Sequence, residues 1–223
     1  MQINDFPLNT FTRNDNTKVE NNAMSAHVRV VHIATKAPNV DVYINDKLTI
    51  PSLKYREFTE YLKVPSGTYN IKLYEENTKK EPLLDRDVFL APKSISTLAI
   101  YSEDRDLHLY SLDETAISSP TKGKVRIRFA DFIENLPPVD VLLSNGTVLY
   151  KNLNFKDLKN YIEIPANTYA FVMNLADTDI PLLYVPNATL EPDQYITIYL
   201  IGLISDYPEP QMLIPLDGIT YIK

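Results

Sequence analysis

The chain of 223 residues contains no cysteine, no tryptophan and only five glycines. Without Cys there is no disulfide framework, no thiolate metal site, no Cys nucleophile and no redox switch, and the compartment is left open. Basic charge is scarce: 22 Lys and Arg stand against 29 Asp and Glu, a net charge of −7. With no Lys/Arg stripe interleaved with aromatics, nothing holds a phosphate backbone, and nucleic acid is excluded as a partner. Nowhere do 18 apolar residues run together, and the amino end lacks a basic segment followed by an apolar one. Neither a transmembrane segment nor a signal peptide is therefore expected. Gly-x-Ser-x-Gly, a phosphate-cradling glycine loop and His-Glu-x-x-His are also missing, so no catalytic residue, metal ligand or cofactor is assigned and the chain is read as not an enzyme.

What is present is proline, 16 residues of it, with 15 Tyr and an ordinary apolar fraction of 44%. That mixture fits many short segments with stiff corners rather than long helices. Residues 1–24, with six Asn among them, hold too little apolar surface to offset ordering entropy and are expected to be a disordered tail.

Beyond the tail the chain repeats itself. "VRVVHI" at 28–33 matches "VRIRFA" at 125–130, which sets Arg29 with Arg126; "PNVDVYI" at 38–44 matches "PPVDVLL" at 137–143, which sets Asp41 with Asp140. "YLKVPSGTY" from 61 matches "YIEIPANTY" from 161, and Gly67 shares a slot with Asn167. Insertions between matched segments are what surface loops tolerate, so the pattern reads as a duplicated domain. In "TYNIKLYE", Tyr69, Ile71 and Leu73 alternate with polar residues, the period of a strand with one face on a core, and Tyr169, Phe171 and Met173 repeat it. "SISTLAIYS" and "YITIYLIG" read as central strands. Asn145-Gly146 is expected to form a type I′ hairpin turn, with Asn45-Asp46 a weaker version. "VPSGTY" and "IPANTY" are read as hairpin corners in which Gly67 and Asn167 take left-handed backbone. Seven or eight short strands per half predict an all-β protein of two tandem antiparallel β-sandwich domains, at 25–115 and 123–223, joined by a linker at 116–122.

At these residues the sequence resembles the bacterial family called domain of unknown function 4397. "VRVVHIATKAPNVDVYIND", "VPSGTY" and "FLAPKSISTLAIY" fit one copy, and "VRIRFADFIENLPPVDVLLSNG", "IPANTY" and "TLEPDQYITIYLIG" a second, over about residues 27–217. The resemblance implies an immunoglobulin-like sandwich, usually secreted or on the cell surface, with no established activity. The second copy has Phe129 where the family has His, so His32 is not a site shared by both.

His27 and His32 lie five apart in one strand and face opposite ways, so they do not chelate one ion even with Asp41 near. Arg29 with Asp41, and Arg126 with Asp140, are read as structural clamps between the first two strands of each copy. The acidic runs at Glu103, Asp104 and Asp106, and at Asp177 and Asp179, lack the spacing of a calcium loop and are read as solvated loop tips. The expected function is a non-enzymatic structural or adhesive protein of a cell envelope or spore surface that binds protein or itself. A carbohydrate-binding module presenting Tyr is the alternative, and a hydrolase of unrecognised type the third reading.

Overall fold

The computed structural model describes residues 25–115 and 118–222, and the tail at 1–24 lies outside the described residues. Its strands fall into two sets of eight that form two sandwich-like units. The first comprises β1 (Ser25–His32), β2 (Val40–Ile44), β3 (Lys47–Leu53), β4 (Leu62–Pro65), β5 (Gly67–Glu75), β6 (Leu84–Leu90), β7 (Ile95–Glu103) and β8 (Asp106–Asp113). The second comprises β9 (Lys124–Asp131), β10 (Val139–Leu143), β11 (Val148–Leu153), β12 (Ile162–Pro165), β13 (Asn167–Leu175), β14 (Pro181–Leu190), β15 (Tyr195–Ile201) and β16 (Gln211–Leu213). The sheets run β4-β1-β7-β8 and β3-β2-β5-β6, then β12-β9-β15-β16 and β11-β10-β13-β14. All pairings are antiparallel except β1 with β7 and β9 with β15.

Alternation builds each core. Val28, Val30, Val42, Ile71 and Leu98 meet inside the first unit, and Ile127, Phe129, Val141, Phe171 and Ile198 inside the second. The strands β1, β7, β9 and β15 are buried on both faces. Their other faces form a third core in which Val31, Ala99, Tyr101 and Leu112 of the first unit pack on Ala130, Phe132, Tyr199 and Ile201 of the second. Two sheets therefore stack across the units, as the near-continuous apolar runs of β7 and β15 require.

The repeated phrase is not a hairpin. β4 pairs with β1, whereas β5 pairs with β2 and β6, so "VPSGTY" carries the chain from one sheet to the facing one. The tyrosine fixes this corner: Tyr69 Oη donates to the Pro65 carbonyl at 2.6 Å, and Tyr169 Oη to Pro165 at 2.7 Å. That is the tyrosine corner of sandwich folds. Gly67 has φ of 151°, while Asn167 has no positive φ, so the shared slot is not left-handed in both units. The two hairpin turns also exchange roles. Asn45 and Asp46, at φ 50° and 63°, form the type I′ turn. In the corresponding turn of the second unit only Gly146 is positive, at 87°, and it donates to the Leu143 carbonyl at 2.9 Å. That is a three-residue loop closed by a glycine bulge.

Candidate functional site

The most densely built polar site lies between the units. Arg29 projects from β1 into the third core, where its Nε donates to Thr97 Oγ1 at 2.7 Å and its Nη2 to Glu114 Oε1 at 3.2 Å. Its Nη1 reaches the Leu216 carbonyl of the second unit at 2.9 Å, and its Nη2 lies 3.6 Å from Asp217 Oδ1. Glu114, fully buried, also accepts from Thr97 Oγ1, from Tyr61 Oη and, at 2.7 Å, from the backbone N–H of Gly218. Gly218 is needed for this approach, since a Cβ there would sit 2.7 Å from Ile95 and 2.8 Å from Tyr61.

The second unit repeats the arrangement. Arg128 Nε donates to Thr197 Oγ1 at 2.8 Å, and Thr197 Oγ1 and Tyr161 Oη donate to Asp217 Oδ2 at 2.8 and 2.5 Å. Arg128 Nη2 crosses to the Asp113 carbonyl of the first unit at 2.9 Å. Each guanidinium lies over a tyrosine, Arg29 at 4.7 Å from the Tyr61 ring and Arg128 at 4.3 Å from Tyr161. The correspondence is not perfect. Glu114 is saturated with donors, whereas Asp217 Oδ1 accepts no hydrogen bond among the described residues. Burial, with Glu114 adding to it, pushes the Asp217 carboxyl up to about 6. The Tyr61 and Tyr161 hydroxyls are likewise raised, by burial first and then by the carboxylates beside them.

The equivalent of Arg29 is thus Arg128, not Arg126, and the equivalent of His32 is Asp131, not Phe129. Both His32 and Asp131 exchange backbone hydrogen bonds with the same following loop, at Arg56 and Glu57 or Lys156 and Asp157. A slip of two residues keeps every side chain on its face, so the alternation of "VRVVHI" and "VRIRFA" cannot distinguish the two alignments. His32 Nε2 donates to the Pro38 carbonyl at 3.0 Å, leaving Nδ1 buried with no hydrogen-bond partner among the described residues, and burial lowers its pKa. Asp131 accepts from the Ile133 N–H at 2.8 Å, and burial, reinforced by Asp157, pushes it up to about 7.

The structure forms neither the Arg29–Asp41 nor the Arg126–Asp140 pair, because β1 and β2 lie in different sheets, as do β9 and β10. Arg126 instead pairs with Glu163 at 3.1 Å and donates to the Ser118 carbonyl at 2.8 Å. Asp41 accepts from the N–H groups of Ser52 and Asn77, at 2.8 and 3.1 Å, and Asp140 from those of Asn152 and Asp177, at 3.0 and 3.4 Å. All four N–H donors belong to residues at positive φ, so each carboxylate ties two irregular turns to one strand. Sequence reasoning missed Arg128, Glu114 and Asp217; Thr97 and Thr197, polar residues inside the buried strands β7 and β15, were the available signal.

A second feature is open to solvent. At the loop ends, between the units, a cleft of about 780 Å³ is lined by Lys36, Asp104, Arg105, Glu134 and Asn135, among others. Glu134 accepts the Asp104 N–H at 2.9 Å and so joins the units across it. Lys36 is held by Asp206, and the next residue, Tyr207, is 83% exposed. Among the described residues no group of three or more His, Cys, Asp or Glu is disposed to hold a metal ion, and no helix is long and apolar enough to cross a membrane.

The model of the family described as "Domain of unknown function (DUF4397)" matches residues 26–142, just over half of the chain. No curated protein matches. Among solved structures, CBMbc (family CBM26) from Eubacterium rectale Amy13K in complex with maltoheptaose is 10% identical over 86% of this chain and 97% of its own, with a TM-score of 0.25. A structure titled for alpha-glucan binding by a streptococcal virulence factor is 12% identical over 78% and 93%, with a TM-score of 0.27. The Bacillus anthracis TIE protein is 12% identical over 81% and 34%, with a TM-score of 0.26. These TM-scores are too low for any of the three to bear on the function or fold of the chain.

Proposed function

The chain belongs to the DUF4397 family, and from that premise we propose that it is a non-enzymatic structural or adhesive protein of a cell envelope or spore surface, binding another protein or itself. One observation carries the reading. The most elaborate polar constellation among the described residues, Arg29, Glu114, Arg128 and Asp217 with their Tyr and Thr partners, is sealed between two sheets, where no substrate reaches it. Its chemistry is to hold one unit on the other. In this reading Arg29, Asp41, Gly67, Arg126, Asp140 and Asn167 serve structure, and binding belongs to loop ends and outer sheet faces. The alternative, a carbohydrate-binding module, is favoured by the open cleft and by the 83% exposed Tyr207, which follows the Asp206 that holds Lys36 of the cleft lining, since Tyr offers a sugar an apolar face and a polar tip.

Co-sedimentation of the purified protein with isolated envelopes of its own host tests both. Binding abolished by protease treatment of the envelope supports the protein partner, and binding abolished by periodate supports the glycan. Failure to bind either untreated envelopes or spores contradicts both.

A further inference from the structure

The two units share a backbone plan, yet their outer sheets show different surfaces to solvent. In the first unit the row across the outer sheet is Leu48, Tyr43, Lys72 and Asp85, each directly opposite the next. Charge guards this row: Lys72 Nζ lies 2.6 Å from Asp46 and 3.8 Å from Asp85, and Lys79 sits 4.8 Å from the Tyr43 ring. In the second unit the same row is Val148, Leu142, Val172 and Tyr184. Val172 stands where Lys72 does, Tyr184 where Asp85 does and Gly146 where Asp46 does. Val148 is 46% and Tyr184 57% exposed, with Leu142 and Val172 half-buried between them. Thr168, bonded to Thr189 at 3.0 Å, extends the same uncharged surface along β13 and β14.

We propose that this face is a self-association surface, on which the same face of a second copy packs about a two-fold axis. The inference rests on the reading above only in taking protein, here the chain itself, as the partner. A chain of net charge −7 repels its copies, so two copies meet at least cost on the uncharged row, the charges of Lys151 and Asp177 at the end of the same sheet being paired with each other at 3.4 Å. A two-fold axis sets the apolar row against an identical row. Sheet stacking is also how the chain already joins its own units. Four strands at about 4.8 Å spacing, of five to ten residues at about 3.3 Å each, present roughly 300–600 Å², less than the about 800 Å² per partner of a standard interface. The dimer is accordingly weak and concentration-dependent.

Analytical ultracentrifugation of the full chain from about 10 µM to about 1 mM, bracketing a Kd of about 100 µM, tests this. Val172→Lys/Tyr184→Asp places the first unit's own residues on the row, and Val148→Lys at the strand end is a milder second variant. The wild type is expected to rise from 25.5 kDa toward twice that mass, while both variants, with unchanged circular dichroism, stay at the monomer mass. A wild type that remains monomeric throughout, or folded variants that associate equally, would overturn the proposal. Either outcome leaves envelope binding to be decided by its own assay.

Discussion

Replacing Glu114 with Gln removes one negative charge from the seal between the units while keeping its shape. Four donors converge on this carboxylate: Arg29 Nη2, Thr97 Oγ1, Tyr61 Oη and Gly218 N–H. A Gln offers one acceptor oxygen and turns an amide NH₂ toward donors, so part of this set loses its partner. Breaking a buried ion pair typically costs about 3–5 kcal/mol, because the remaining charge stays desolvated. One effect works the other way. Glu114 helps to push Asp217 up, so its neutralisation lets Asp217 ionise more fully and compensate Arg29 from 3.6 Å. The lower end of the range, about 3 kcal/mol, is expected. Urea unfolding gives the measurement, completed by Arg29→Met and the double variant. Because Arg29 and Glu114 share one network, their coupling should be at least about 2 kcal/mol. A Glu114→Gln protein within about 0.5 kcal/mol of wild type, or an additive cycle, would refute the description of the cluster as the seal.

Two buried acids set the pH dependence. Asp131 at about 7 and Asp217 at about 6 bind protons more tightly when folded than at the 3.8 of a free side chain, so stability rises as pH falls from 8 toward 5. The shifts correspond to at most about 4 and about 3 kcal/mol. His32 and His27, both lowered by burial first, oppose this below their unfolded value of 6.5, so the net gain is smaller than the two acids alone would give. Asp131→Asn should stabilise the protein at pH 8 and flatten the urea-midpoint profile; an unchanged slope would contradict the assignment. Asp41→Ala should cost about 1–3 kcal/mol by leaving the Ser52 and Asn77 N–H groups without their acceptor, and thermal melting unaffected by it would refute the turn-tying role. Val30→Ile adds a methylene toward the apolar void of about 20 Å³ in the first core, where the second unit has Phe129. A gain of about 0.8 kcal/mol is expected, and a loss in urea unfolding would mean that the void is closed to the added group.

Much of the architecture was legible because it depends on local chemistry. Alternation in "TYNIKLYE" and "TYAFVMN" marked β5 and β13, and the Pro and Tyr of the repeated phrase marked a corner, although not that it passes between sheets. Which turn was type I′ was not legible: Asn45-Asp46 took positive φ at both positions, whereas the three-residue loop gave Gly146 alone that backbone. The offset between β1 and β9 escaped for the same reason that strands are readable at all, since a slip of two preserves the pattern. The seal was harder still. Glu114 and Asp217 follow β8 and β16 in segments of different length, so no common offset links them to the repeat, and nothing local marks an acid that will be buried by a sheet distant in sequence. The apolar runs "SISTLAIY" and "YITIYLI" did hold a signal, because a strand apolar on both faces must be covered on both.

The central claim is that the two units are locked through equivalent faces into one body. Residues 25–115 and 122–223, produced separately and then mixed, test it most directly. Each half alone exposes one side of the third core with a buried arginine and acid, so the account predicts that the halves bind as a 1:1 complex whose melting transition lies above that of either half. Halves that ignore one another in sedimentation, each melting as the full chain does, would contradict it.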